Sequence, residues 1–102
     1  MATLEELTDR IRRAAEAGDG MSRTVTLDLK GEGYIHVDGI SVTNRDAPAD
    51  LTVRISRADL VKLGKGELNP MSAVMTGRMK LSDMGLAMSL TPEIQALFER
   101  VV

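Results

Sequence analysis

Residues 69–90 read NPMSAVMTGRMKLSDMGLAMSL, and five of the chain's seven methionines fall there, at positions 71, 75, 79, 84 and 88. The stretch opens on Asn69-Pro70, an N-cap residue followed by the residue whose missing N–H costs nothing in a first helical turn. Met71, Val74 and Met75 then form an apolar side until Gly77 stops the helix. From Arg78 to Ser82 the period changes to two, with Met79 and Leu81 on one face and Arg78 and Lys80 on the other, the mark of a half-buried strand. Asp83 is placed to cap a further turn or two of helix ending at Leu90. Methionine is unbranched and adapts its shape, so it specifies a small core poorly and suits a wall that must fit varied apolar guests.

Toward the C-terminus, Thr91-Pro92 starts a last helix with Ile94, Leu97, Phe98 and Val101 as its stripe. Toward the N-terminus, Ser56 caps a short helix with Leu60 and Leu63 facing inward, ended by Gly64 and Gly66. Leu51, Val53 and Ile55 alternate with Thr52, Arg54 and Ser56 in a strand that follows a loop from Asn44 to Asp50. Before that loop, Val25, Leu27 and Leu29 share one face of a strand, a turn at Gly31-Glu32-Gly33 follows, and Tyr34 to Val37 begins the next. Asp38-Gly39 favours a two-residue mirror-type turn, which would pair Val37 with Ile40 and put Ile35, Val37, Ile40 and Val42 on one side. At the start, Thr3 and Glu6 form a capping box, and Leu4, Leu7, Ile11, Ala14 and Ala15 recur at helical spacing up to Gly18.

Every strand thus has one apolar face. The expected fold is α+β, a five-stranded, mostly antiparallel sheet with helices packed on one face, in a single domain spanning residues 1–102. At 102 residues with 43% apolar content, the chain has room for one two-layer core.

Composition closes several functional classes. The chain has no cysteine, which removes disulfides, thiolate catalysis and cysteine-bound zinc. Net charge is −2, and Tyr34 and Phe98 are the only residues of the Phe, Tyr and Trp set, so neither a phosphate backbone nor stacked bases find a partner here. No apolar run approaches the ~20 residues of a membrane span. The acidic start, MATLEELTDR, is unlike a secretory leader, and a cytoplasmic location is expected.

Candidate chemistry is sparse. His36 is the one histidine; alternation puts it on the polar sheet face beside Tyr34 and Asp38, where a solvent-side histidine without catalytic duty is expected. Asp28 and Asp38 share that face as ordinary surface charges. Gly64-Lys65-Gly66 lacks the spacing and the preceding strand of a phosphate loop. Arg10, Arg12 and Arg13, with Lys62 and Lys65, would serve a transient membrane-surface contact, but they lack the density of a polybasic patch, and a solvated helix face is preferred. No catalytic residue, cofactor or metal is expected.

The order Ala49-Asp50-Leu51-Thr52, a capped helix, Gly66-Glu67-Leu68-Asn69-Pro70, Ser72-Ala73, Gly77 and then Met84-Gly85-Leu86-Ala87-Met88 resembles the sterol carrier protein 2 sterol-binding domain family. The resemblance runs over roughly residues 3–90, and MGLAM after a basic strand is its strongest marker. It implies non-enzymatic binding and carriage of an apolar lipid (a sterol, fatty acid, acyl-CoA or similar) in a hydrophobic tunnel between sheet and helices, by a stand-alone bacterial-type member. Carried over residue by residue, the tunnel would be lined by Leu51 and Val53 on the sheet side, then Val74, Met75, Met79, Leu81, Met84, Leu86 and Met88. An empty apolar void costs on the order of 24 cal/mol per Å³, so the tunnel is expected to hold lipid or to be plugged by Leu97 and Phe98. The alternative is an interaction module whose groove takes a partner protein or a second copy, leaving monomer and homodimer both open. An enzyme acting on a lipid thioester lacks a convergent nucleophile.

Overall fold

The computed structural model describes residues 3–18 and 21–98, without the side chain of Phe98. The remaining stripe residue predicted for the last helix, Val101, lies outside them. In chain order the elements are α1 (Leu4–Ala17), β1 (Val25–Asp28), β2 (Tyr34–Asp38), β3 (Ser41–Thr43), β4 (Leu51–Ile55), α2 (Arg57–Gly64), α3 (Pro70–Met75), β5 (Met79–Leu81), α4 (Met84–Ser89) and α5 (Thr91–Phe98).

The capping signals act where the sequence placed them. Thr3 Oγ1 accepts from the Glu6 amide at 3.1 Å, Ser56 Oγ from Asp59 at 3.1 Å and Asn69 Oδ1 from Met71 at 2.9 Å. Each satisfies an amide that has no partner inside its own helix.

The described strands form one sheet in the order β3-β2-β1-β4-β5. β1 pairs with β4 in parallel, and the other three pairings are antiparallel. The fold is therefore α+β, with a mixed sheet that is mostly antiparallel. On its helix side, Leu27, Ile35, Val37, Leu51, Val53 and Ile55 are buried with Leu7 and Ile11 of α1, Leu60 of α2 and Leu97 of α5.

Two sequence expectations are corrected. The β2–β3 turn is Gly39-Ile40, one residue later than Asp38-Gly39. Asp38 pairs with Ser41 and Val37 with Val42, leaving Ile40 57% exposed at the tip instead of facing the core. Gly39 has φ +60°, while Ile40 is not among the described residues with positive φ. That is the requirement of a glycine-first turn, not of the mirror type I turn. The Gly39 carbonyl also accepts from Met21 N at 3.2 Å, which ties the turn to the segment before β1.

The second correction concerns His36, which is only 6% exposed. Because β4 lies beside β1 and β3 lies at the far edge, residues 44–50 must cross the sheet between them. They do so over the face that alternation assigns to water. Thr26 Oγ1 lies 2.8 Å from His36 Nδ1 and donates to the Ala47 carbonyl at 2.9 Å. A hydroxyl has a single proton, so with that proton on Ala47 it accepts from Nδ1–H of His36. Thr26→Val keeps the shape but removes both bonds. It is expected to destabilise the fold by about 1–3 kcal/mol, read as a lower urea midpoint with an unchanged m-value.

Candidate ligand-binding cleft

The sheet edge supplies a floor. In the β4–β5 register Val53 faces Leu81 and Ile55 faces Met79. Alternation then turns Val53, Met79 and Leu81 toward the helices, while Arg54 and Lys80 take the other side. α3 stands at one flank. Its cap is Asn69, and after Gly77, at φ +77°, the Arg78 amide bonds back to the Ala73 carbonyl at 2.9 Å. α4 follows β5 directly and is capped by Asp83, whose Oδ1 accepts from Leu86 N at 3.0 Å.

α5 closes the far end. Thr91 Oγ1 donates to the Ala87 carbonyl at 3.0 Å, and the Glu93 carboxylate accepts from both the amide and the hydroxyl of Ser22 at 2.8 Å. These bonds hold α5 against α4 and against the segment leading into β1.

Between these elements lies a cleft of about 700 Å³. Val53, Met79 and Leu81 form its floor, Met71 and Val74 one wall, and Met84, Ala87 and Met88 the other. Ile94, Thr91 and Gln95 of α5 close one end, and the turn from Leu63 to Pro70 forms a rim. Lys65 and Glu67 are the charged groups among these lining residues, one of each sign. The Thr91 hydroxyl and the Asn69 side-chain oxygen already serve helix hydrogen bonds. No nucleophile–base pair converges on the cleft among the described residues, and no group of three or more metal-ligating side chains forms there. The arrangement offers burial and shape.

Of the tunnel residues expected from sequence, Val53, Val74, Met79, Leu81, Met84 and Met88 border this cleft, and Leu51, Met75 and Leu86 do not. Leu51 opens β4 beside Val25 and is wholly covered, so it is core. Met75 is 81% exposed. Ala73 is the α3 residue turned to the core, and a position two residues on lies about 200° round the helix from it. Leu86 packs against the core one residue from Ala87. Leu97 is likewise buried in the core and does not reach the cleft, so the expected plug is absent at that residue. The side chain of Phe98 lies outside the described set.

Sequence reasoning missed Leu63, Leu68, Met71, Ala87, Thr91, Ile94 and Gln95 as lining residues. Ile94 carried a signal, since it belongs to the α5 stripe. Its direction depends on α5 folding back across α4, which no local pattern states. The basic residues of α1 lie elsewhere: Arg10 is 3.9 Å from Glu6, and Arg12 and Arg13 are each 3.2 Å from Asp9.

Comparison with known proteins gives a consistent answer. The family model described as the SCP-2 sterol transfer family matches residues 2–95. Sterol carrier protein 2 of Oryctolagus cuniculus is 38% identical over 73 residues, 70% of this chain, and the match spans 12% of that protein's length. Among solved structures, Sterol Carrier Protein 2 Like 2 from Aedes aegypti superposes with a TM-score of 0.73 at 25% identity, covering 85% of this chain and 92% of that one. Sterol Carrier Protein 2 of the same species, solved in complex with the C16 fatty acid palmitate, gives a TM-score of 0.69 at 17% identity, with 90% and 94% covered.

Proposed function

This chain belongs to the SCP-2 sterol transfer family, and we propose that it binds and carries an apolar lipid, such as a fatty acid, acyl-CoA or sterol, in the cleft between β5 and helices α3, α4 and α5, without performing chemistry on it. The observation that carries this reading is the cleft itself, about 700 Å³ with a floor and two walls of aliphatic and thioether side chains. Four of the five large hydrophobic residues left exposed among the described ones are methionines of α3 and α4. Such concentrated apolar exposure is unfavourable in water and marks a binding surface.

At roughly 0.8 kcal/mol per buried methylene, a chain of about ten carbons supplies ample driving force without specific polar contacts. The palmitate complex of the Aedes aegypti protein supports a fatty acid as the first probe. Native mass spectrometry of protein purified without detergent is expected to show a bound lipid. After delipidation, palmitate at about 100 times its Kd should stabilise the fold by about 2.7 kcal/mol, visible as a rise of several degrees in Tm. A protein free of lipid whose Tm ignores fatty acids and sterols alike would refute carriage.

A second reading has its own observation. Met75 is 81% exposed yet lies outside the cleft, so no guest in the cleft would cover it. In that reading the outer face of α3 takes a second copy or a partner protein. Light scattering of the delipidated protein tests the second copy: a dimer abolished by Met75→Glu supports it, and a monomer at all concentrations rejects it.

A further inference from the structure

We propose that Met71, Met84 and Met88 form an oxidation-sensitive rim whose conversion to sulfoxide by peroxide releases the guest of the cleft; this rests on the carrier reading. The three thioethers border the cleft and are 58%, 45% and 65% exposed, so peroxide reaches them from solvent. They come from both walls, Met71 from α3 and the pair Met84 and Met88 from one face of α4. Met79 also borders the cleft but is buried, as is Met21 in the core. Met75 is the most exposed of the described methionines and borders nothing in the cleft. The structure therefore sorts the described methionines into reachable and lining, reachable but not lining, and shielded.

The chemistry balances with hydrogen peroxide as oxidant. A sulfur lone pair attacks one peroxide oxygen, an S–O bond forms, the O–O bond breaks, and the departing hydroxide takes the proton of the transferred oxygen, leaving sulfoxide and one molecule of water. Sulfur is oxidised by two electrons and the peroxide is reduced. The flexible apolar side chain becomes a polar one. In the empty, wetted cleft the new S=O groups stay hydrated. Beneath a hydrocarbon guest they would exchange water for the guest and for a floor and walls of aliphatic and thioether groups that offer no donor, so the bound state is selectively penalised. Methionine sulfoxide reductases of both epimer specificities, supplied with a dithiol that is oxidised to its disulfide as the sulfoxide oxygen leaves as water, reverse the change.

The test uses the delipidated full chain and a fluorescent fatty acid as probe, with peptide mapping after graded peroxide. Oxygen is expected first on Met71, Met75, Met84 and Met88 and last on Met21 and Met79, with probe affinity falling about tenfold or more as the three rim residues react. The two reductases together restore it. Prior loading with palmitate should slow reaction at Met71, Met84 and Met88 several-fold and leave the rate at Met75 unchanged. Met75→Leu keeps the peroxide response. The Met71→Leu, Met84→Leu, Met88→Leu triple variant, compared with itself before and after peroxide, loses that response. Unchanged affinity with all three sulfoxides formed overturns the proposal, and so does a loss that tracks Met21 and Met79, which would report unfolding. Failure of the untreated protein to bind any probe overturns the carrier reading as well, and so separates the two failures.

Discussion

Leu81→Asp is expected to weaken fatty-acid binding more than a hundredfold while the protein still folds. Leu81 sits at the end of edge strand β5, half-buried, and pairs with Val53 in the floor of the cleft. In the free protein a carboxylate there retains water through the open side. Under a bound acyl chain it is covered by hydrocarbon, with no donor aimed at it from Val53, Met79 or Val74. Hundredfold corresponds to about 2.7 kcal/mol, less than the several kcal/mol commonly assigned to an uncompensated buried polar group. Leu81→Met, which preserves volume and apolarity, should change affinity only a few-fold. Titration of a fluorescent fatty acid, with circular dichroism to confirm the fold, measures both. Equal affinities for the aspartate and methionine variants would place the guest somewhere other than this floor.

Leu51→Ala is expected to act on stability instead, costing about 2–5 kcal/mol as a buried methyl-rich side chain is deleted and a cavity remains. Total stability for a domain of this size is typically about 5–15 kcal/mol, so urea unfolding would register a large drop in midpoint. Leu51 is completely buried and does not border the cleft. Affinity per folded molecule should therefore shift far less than in Leu81→Asp. The converse result, small destabilisation with a large loss of binding, would return Leu51 to the cleft wall where sequence reasoning put it.

These two variants separate positions that the sequence made equivalent. Leu51 and Val53 have the same parity on one strand, so alternation alone gives them the same face and the same role. The fold distinguishes them by position along the strand: one end of β4 lies beneath the core, and Val53, opposite Leu81, lies at the cleft. Met71 and Met75 have a similar history. Both point away from Ala73, yet Met71 borders the cleft beside the α2–α3 turn and Met75 faces outward.

Local rules succeeded where the cause was local. Thr3, Ser56, Asn69 and Asp83 each cap the helix they were assigned, because an N-cap bond spans two or three residues and needs nothing from the rest of the chain. The period of two found all five strands, since a half-buried sheet imposes it on each strand separately. The Asp38-Gly39 turn failed by one residue because Gly39 suits either register. Pairing of Val37 with Val42 and the Met21 bond to the Gly39 carbonyl settled which was used.

By itself, then, the order of caps, breaks and alternating faces determined the α+β class, the one-sided apolar sheet and the methionine-rich segment that borders the cleft. Tertiary structure alone decided what covers what. The parallel β1–β4 pairing sends residues 44–50 across the polar face and buries His36, and the return of α5 over α4 brings Ile94 into the cleft and leaves Leu97 in the core. Periodicity reports which side of an element is apolar. It carries no information on which distant segment will lie against that side, because that is set by the packing of the whole chain.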